Sequence, residues 1–232
     1  MNLLAFDTST DVLSIAVQRG EGVWEHNGPG GAQASLSLIS AISELLRLAG
    51  LDLAQLDALV FARGPGSFTG LRTACAVAQG LAFGANAGRG IPVLPVDTLA
   101  AVAEQARAQC GCTEVVAALD ARMDEVYMAR YQWRANGWQD AGALCVSAPE
   151  GVQVPPGWTL AGNARAAYGD RLAPGALHVH ALPTACALLR LAPALLADGR
   201  AVSATEALPL YVRDKVAQTT AERAAVRAAA GH

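Results

Sequence analysis

The stretch richest in chemically capable residues is Gly64-Pro65-Gly66-Ser67-Phe68-Thr69-Gly70-Leu71-Arg72. Gly64 and Gly66 open backbone conformations closed to other residues, and Pro65 stiffens the turn. Ser67 or Thr69 can cap a helix start, and the free N–H groups and dipole at such a start favour an anion. A second segment of similar capacity is Asp7-Thr8-Ser9-Thr10, which closes a short apolar run. Asp7, Thr8, Ser9, Gly66, Ser67 and Thr69 together make a candidate nucleotide or anion loop, with Asp7 available as a general base or an indirect magnesium ligand. The same residues equally fit plain turns, one a tight strand-to-helix connection and the other an aspartate capping its own turn. No Gly-Lys-Ser/Thr follows the glycines, so this is no Walker loop, and Thr69 stands where G-x-G-x-x-G needs its third glycine.

Other chemistry is thinly represented. The histidines are His26, His178, His180 and His232, none four apart, so the H-x-x-x-H pair of a helix-borne metal site is missing. His178 and His180 alternate in a strand-like segment without an acid or cysteine nearby and read as a solvated edge. The cysteines are Cys75, Cys110, Cys112, Cys145 and Cys186, odd in number and without a C-x-x-C pair. They read as reduced thiols of a cytosolic protein, and Cys110-x-Cys112 lacks visible co-ligands for a metal. No Ser-His-Asp or Cys-His arrangement suggests itself. The expectation is therefore no catalytic residue, no metal site and no resident cofactor.

The elements that position these residues follow from periodicity. Leu3–Phe6 is a short apolar strand, Leu13–Arg19 an alternating one, and Val23–His26 a third after a Gly20-Glu21-Gly22 turn. Gly28-Pro29-Gly30-Gly31 reads as a loop. Ala34–Ala49 has helical spacing, with Leu38, Ile42, Leu45 and Ala49 on one stripe and Gly50 at its C-cap. Leu59–Phe61 is a buried strand, followed by a long helix over about 67–85, a strand over 93–96 and a helix from Thr98. The pattern then begins again: Ala117-Ala118-Leu119-Asp120 echoes Leu4-Ala5-Phe6-Asp7, Asp124 echoes Asp11, and Val126–Tyr131 echoes Leu13–Val17. A turn at Asn136-Gly137 and a third strand after Trp138 complete the echo. This duplication predicts two side-by-side α/β units with mixed sheets, divided as 1–100 and 101–232. The alanine-rich stretch at 219–231 reads as a terminal helix.

Hydrophobic residues make up 53% of the 232 and charged residues 16%, enough for a large buried core, and the low aromatic share of 5% favours packed α/β layers. A formal net charge of −3 argues against unaided phosphate-backbone binding. The first twenty residues carry Asp7 and Asp11 without a basic segment, so they do not resemble a signal peptide. No apolar run approaches the roughly 20 residues of a membrane span. A cytoplasmic location, away from membranes, is expected.

The run G-P-G-S-F-T-G-L-R after a buried strand resembles the signature of the TsaB (YeaZ) family. Three further segments agree: Phe6-Asp7-Thr8-Ser9-Thr10, Leu119-Asp120-Ala121-Arg122-Met123-Asp124-Glu125-Val126-Tyr127, and Pro209-Leu210-Tyr211-Val212-Arg213-Asp214-Lys215-Val216-Ala217. The resemblance implies tandem units of the actin-like ATPase and sugar-kinase type, which are ribonuclease H-like. It also implies a non-catalytic partner of a catalytic paralogue, TsaD, working with the small ATPase TsaE. That complex transfers threonylcarbamoyl to adenosine 37 of tRNAs reading codons that start with A. ATP would then be used by the complex, with a nucleotide conceivable at the shared interface and tRNA met through the complex. Two alternatives stand beside it: a stand-alone ATPase or small-molecule kinase, and a homodimer in which a second copy takes TsaD's place. The chain departs from the family where Ala34 and Ser40 replace the usual histidine and proline of the first helix. It also lacks the glycine of the superfamily's D-x-G-x-T/S phosphate loop.

Two helices carry more apolar or small surface than one sheet contact needs. On the first, Leu36, Ile39 and Leu46 widen the stripe that contains Ile42. On the second, Gly66, Gly70, Ala74, Ala78 and Ala82 recur every four residues, with Ala76, Gly80 and Gly84 as a second set. The resemblance places a four-helix junction with TsaD on these helices. Leu36, Ile39, Ile42, Leu46, Gly70, Leu71, Ala74 and Ala78 are the expected contact residues.

Overall fold

The computed structural model describes residues 1–213 apart from Asn136. The expected terminal helix over 219–231, the last four residues of the 209–217 motif, His232 and half of the Asn136-Gly137 turn lie outside the described residues.

The first unit runs β1 (Asn2–Asp7), β2 (Val12–Arg19), β3 (Gly22–Pro29), α1 (Ala34–Ala49), β4 (Ala58–Gly64), α2 (Phe68–Gly84), β5 (Val93–Asp97) and α3 (Thr98–Cys110). The second runs β6 (Glu114–Arg122), β7 (Glu125–Arg134), β8 (Gly137–Asp140), β9 (Cys145–Ser147), β10 (Thr159–Gly162), α4 (Ala164–Tyr168), β11 (Leu177–Val179) and α5 (Ala185–Ala197). The first sheet has the order β3-β2-β1-β4-β5 and the second β8-β7-β6-β10-β11, with β9 added beside β7. In each, the first two strands are antiparallel, and the first pairs in parallel with the strand that follows. The duplication read from sequence is thus a duplication of topology. It is incomplete, because β9 and a loop stand in the second unit where α1 stands in the first.

Parallel strands covered on both faces read as unbroken apolar runs, and Leu3, Leu4, Ala5 and Phe6 of β1 are all fully buried. One face of the first sheet packs under α1 and α2, through Leu38, Ile42, Leu45, Ala74, Ala78 and Ala82. Its other face packs under α5, whose Ala185, Leu188, Leu189 and Ala192 meet Leu3, Ala5, Val60 and Val96. Helix α3 covers the second sheet with Leu99, Val102, Ala103 and Ala106. The layers therefore run α1/α2, first sheet, α3/α5, second sheet, α4.

This arrangement corrects the division at residue 100. That cut falls inside α3, and the segment after it does not keep its own last helix, because α5 fills the inner face of the first sheet. The Gly28-Pro29 loop is also corrected: β3 continues to Pro29, pairing Leu13 with Gly28 and Val12 with Pro29. Proline is tolerated there because β3 is an edge strand.

Candidate functional site

A cleft of about 310 Å³ opens where the C-terminal ends of β1 and β6 face each other, the place where open α/β sheets bind ligands. Ser9, Gly66 and Ser67 line it from the first unit, and Asp120, Arg122 and Asn163 from the second. Gly64 and Gly162 hold equivalent places at the ends of β4 and β10, with φ of +128° and +139°. A side chain at Gly162 would collide with the Ala118 carbonyl oxygen. Gly162-Asn163 is thus the second unit's counterpart of the Gly64 turn, which duplicated topology explains and a lone Gly-Asn pair did not reveal.

The first unit's anion loop is filled by its own chain. The Ser67 N–H donates to the Ser9 carbonyl at 2.8 Å. Ser67 is the N-cap of α2, its Oγ accepting from the Gly70 N–H at 3.5 Å. The Thr8 hydroxyl donates to the Gly70 carbonyl at 2.7 Å. The contact is so close that a Cβ on Gly66 would lie 2.6 Å from the Ser9 Cβ. Asp7 and Thr8 are buried beneath the cleft, and Thr69 is exposed on the helix surface, outside the lining.

Asp7 is fully buried. One carboxylate oxygen accepts from the Ser9 N–H at 3.2 Å, and the other has no hydrogen-bond partner among the described residues. The Ser9 hydroxyl lies beside the carboxylate but outside hydrogen-bonding geometry, and it too is unpartnered. Burial, partly offset by Ser9, pushes the Asp7 carboxyl up to about 7. The turn-capping role weighed from sequence is therefore present, and the carboxyl is shared between its two protonation states near neutrality.

Across the cleft, Arg122, Met123 and Asp124 occupy three consecutive left-handed positions, with φ of +59°, +57° and +62°. Such a run in non-glycine residues is costly and persists where surroundings fix it. Arg213 is one such support: it donates to the Ala121 and Arg122 carbonyls at 3.2 and 3.4 Å and pairs with the Glu125 carboxylate. Arg122 bridges the units, reaching Asp11 at 3.0 Å and Asp120 at 3.2 Å. Tyr168 places its hydroxyl 2.7 Å from Asp120; burial, with that carboxylate beside it, pushes the phenol up to about 12. Phe68 lies under the Arg72 guanidinium at 3.8 Å and beside the Tyr211 ring at 5.4 Å, which gives the cleft an aromatic lip.

Chemically, the cleft is balanced rather than basic. Its two arginines among the described residues are each paired with a carboxylate, and no histidine of that set lines it. Among the described residues no group of three potential ligands is placed to hold a metal ion. Sequence reasoning assigned no role to Arg122, Arg213 or Tyr211. Their motifs were visible, but apart from the Arg122–Asp120 pair the contacts join positions about ninety residues or more apart in the chain and have no local signal.

The expected partner residues divide into two groups. Ile42, Leu46, Ala74 and Ala78 are buried against the chain's own first sheet, Gly70 is buried against the Thr8 backbone, and Leu71 is buried at the cleft lining. A side chain on Gly70 would lie 1.8 Å from the Thr8 carbonyl oxygen. Leu36 and Ile39 are free, at 84% and 55% exposure. On α2 the second small set, Ala76, Gly80 and Gly84, faces outward beside Phe83. At the departures from the family pattern, Ala34 is buried and the exposed Ser40 hydroxyl donates to the Ser37 carbonyl at 2.9 Å.

Two topologically repeated units meeting across a cleft at their strand ends define the ribonuclease H-like class that includes actin-like ATPases and sugar kinases. The family model described as "TsaD: tRNA N6-adenosine threonylcarbamoyltransferase" matches residues 30–226. The chain is 35% identical to the "tRNA threonylcarbamoyladenosine biosynthesis protein TsaB" of Escherichia coli (strain K12), over 94% of this chain and 96% of that protein. It is 36% identical to the protein of the same name from Haemophilus influenzae, over 93% and 95%. The solved structure of "YeaZ from Pseudomonas aeruginosa" superposes with a TM-score of 0.83 at 40% identity, covering 90% of this chain and 99% of that one. The chain belongs to the TsaB (YeaZ) family.

Proposed function

We propose that the chain is the accessory, activating subunit in tRNA threonylcarbamoyladenosine biosynthesis, docked on the catalytic paralogue TsaD and acting with TsaE. The carrying observation is that α1 and α2, after completing their own core, still expose large apolar side chains and thin backbone. Leu36 and Phe83 are 84% and 67% exposed, and nothing lies within 4 Å of where a side chain on Gly80 or Gly84 would stand. Exposed apolar surface of this kind marks an interaction site, and small residues let a second helix approach closely. The self-filled loop and the charge-balanced cleft support the same reading, since the Ser67 N–H is already engaged by the Ser9 carbonyl and each cleft arginine is paired with a carboxylate. ATP is then a reagent of the whole complex, any nucleotide near this chain lies at the surface shared with TsaD, and tRNA is engaged through the assembly.

The test is reconstitution. Purified chain, TsaD, TsaE, ATP, threonylcarbamoyl-adenylate and tRNA together should give modified tRNA, and omission of the chain should abolish the product. Leu36→Asp combined with Phe83→Asp should abolish co-purification with TsaD while leaving the unfolding free energy within about 1 kcal/mol of the parent. If the double variant binds TsaD normally, the assigned face is wrong. If the chain alone hydrolyses ATP and Asp7→Ala removes that activity, a stand-alone ATPase replaces this reading.

A further inference from the structure

Helix α3 ends at Cys110, and the chain crosses to the second unit through Gly111 and Cys112. Gly111 is left-handed at φ +74° and donates its N–H to the Arg107 carbonyl at 2.8 Å. This fold-back sets Cys112 two residues beyond Cys110 with the thiols near enough for Cys110 to bear on the Cys112 proton. Among the described residues nothing lies within 4 Å of where a side chain on Gly111 would stand, and Gly111 itself is exposed. The two thiols are unlike. Cys110 is exposed, its Sγ–H donating to the Ala106 carbonyl at 3.2 Å. Cys112 is half-buried against the core beneath the second sheet.

We propose that Cys110 and Cys112 form a reactive dithiol, a modification site that takes low-molecular-weight disulfides and closes to an intraloop disulfide. Cys110, as thiolate, attacks one sulfur of the small disulfide R–S–S–R. The Cys110 Sγ–S bond forms, and R–S⁻ leaves and takes up a proton. Cys112 then loses its proton and attacks the Cys110 Sγ, closing the Cys110–Cys112 bond and releasing the second R–S⁻. The protein gives up two hydrogens and two electrons, and the small disulfide becomes two thiols.

The order follows from the surroundings. The thiolate is the attacking species. Burial first, then the Cys110 sulfur, pushes Cys112 up to about 12, so Cys112 seldom attacks while both thiols are free. Capture of Cys110 in a mixed disulfide removes the Cys110 thiolate charge, while the Arg107 guanidinium nearby favours the Cys112 anion. A ring closed over one residue is strained, and strained, exposed disulfides are the labile ones, so the product should reopen readily.

Tryptic cleavage after Arg107 and Arg122 isolates both cysteines in one peptide free of the other three. Full-length chain is equilibrated in mixtures of reduced and oxidised glutathione, quenched in acid, alkylated and digested. The peptide should appear unalkylated and two hydrogens lighter as the oxidised share rises, and should revert in excess reduced glutathione. Cys112→Ser should instead keep one glutathione on Cys110, and Cys110→Ser should acquire none over the same period. The proposal fails if the peptide takes two alkyl groups at every ratio, or if the parent retains glutathione without closing. Reaction of Cys110→Ser at the parental rate would also overturn it.

Discussion

Among single residues, Asp7 makes the clearest demand on solution behaviour. Its folded value near 7 lies above the unfolded 3.8, so between those two pH values the native chain holds a proton that the unfolded chain has released. Stability from this group therefore falls as pH rises through that window, and the full cost is present above it. Asp7→Asn keeps an acceptor for the Ser9 N–H and removes the titration. In urea unfolding the variant should exceed the parent by a few kcal/mol at pH 8, on the order expected for a shift of this size, and the gap should close toward pH 4. Parallel pH profiles would refute the assignment. Two glycines of α2 make a matched pair. Gly70→Ala drives a methyl into the Thr8 carbonyl and should cost roughly 1–3 kcal/mol. Gly80→Ala meets nothing and should add about 0.5–1 kcal/mol of stability, because alanine is the better helix former. Both are read from chemical denaturation. If the proposed docking face is right, Gly80→Ala should at the same time weaken TsaD binding.

Between elements, the main tie is Glu104. It is buried at 1% exposure, and its carboxylate accepts from Arg107 of its own helix at 2.9 Å, from Arg190 of α5 at 2.8 Å and from the Trp138 indole of β8 at 3.0 Å. Burial works to raise this carboxyl, and the three donors more than offset it, so its value is lowered. Removing one side of a buried ion pair leaves uncompensated charge. The charges left behind, Arg107 and Arg190, are each about a third exposed, so Glu104→Ala should lower stability by about 1–3 kcal/mol in denaturant titration, with Glu104→Gln less severe. Much of the element level was legible in the sequence. Helix α1 spans the expected Ala34–Ala49, with Gly50 left-handed at its end, because a 3.6-residue stripe and a terminal glycine are local signals. Which face of α2 turns inward was not legible. Small residues recur on two of its sides, and periodicity alone does not say which side the sheet takes. The set at Gly70, Ala74 and Ala78 went inward, since only a bare backbone fits against Thr8, and this left Ala76, Gly80 and Gly84 facing outward.

At the scale of the whole molecule, duplication was readable from Asp7 and Asp120, the strand-closing aspartates of the two halves. The exchange of last helices was not. An apolar run such as Ala185–Ala197 looks the same whichever sheet it covers, and its place is decided by Leu3, Ala5 and Val60, far away in the chain. A fragment ending at residue 184 would bare the part of that inner face that α5 covers. Such a fragment should bind a hydrophobic dye and lose its cooperative unfolding transition, whereas two independent units would leave the first half folded. The exchange also bears on biosynthesis. Chains emerge from the ribosome at roughly 5–20 residues per second, so the first sheet is made several seconds before the helix that seals it. During that interval the apolar side chains that α5 covers in the finished fold, among them Leu3, Ala5 and Val60, have no helix to seal them. Stalled or prematurely terminated translation products should then be among the most aggregation-prone forms of this protein in the cell.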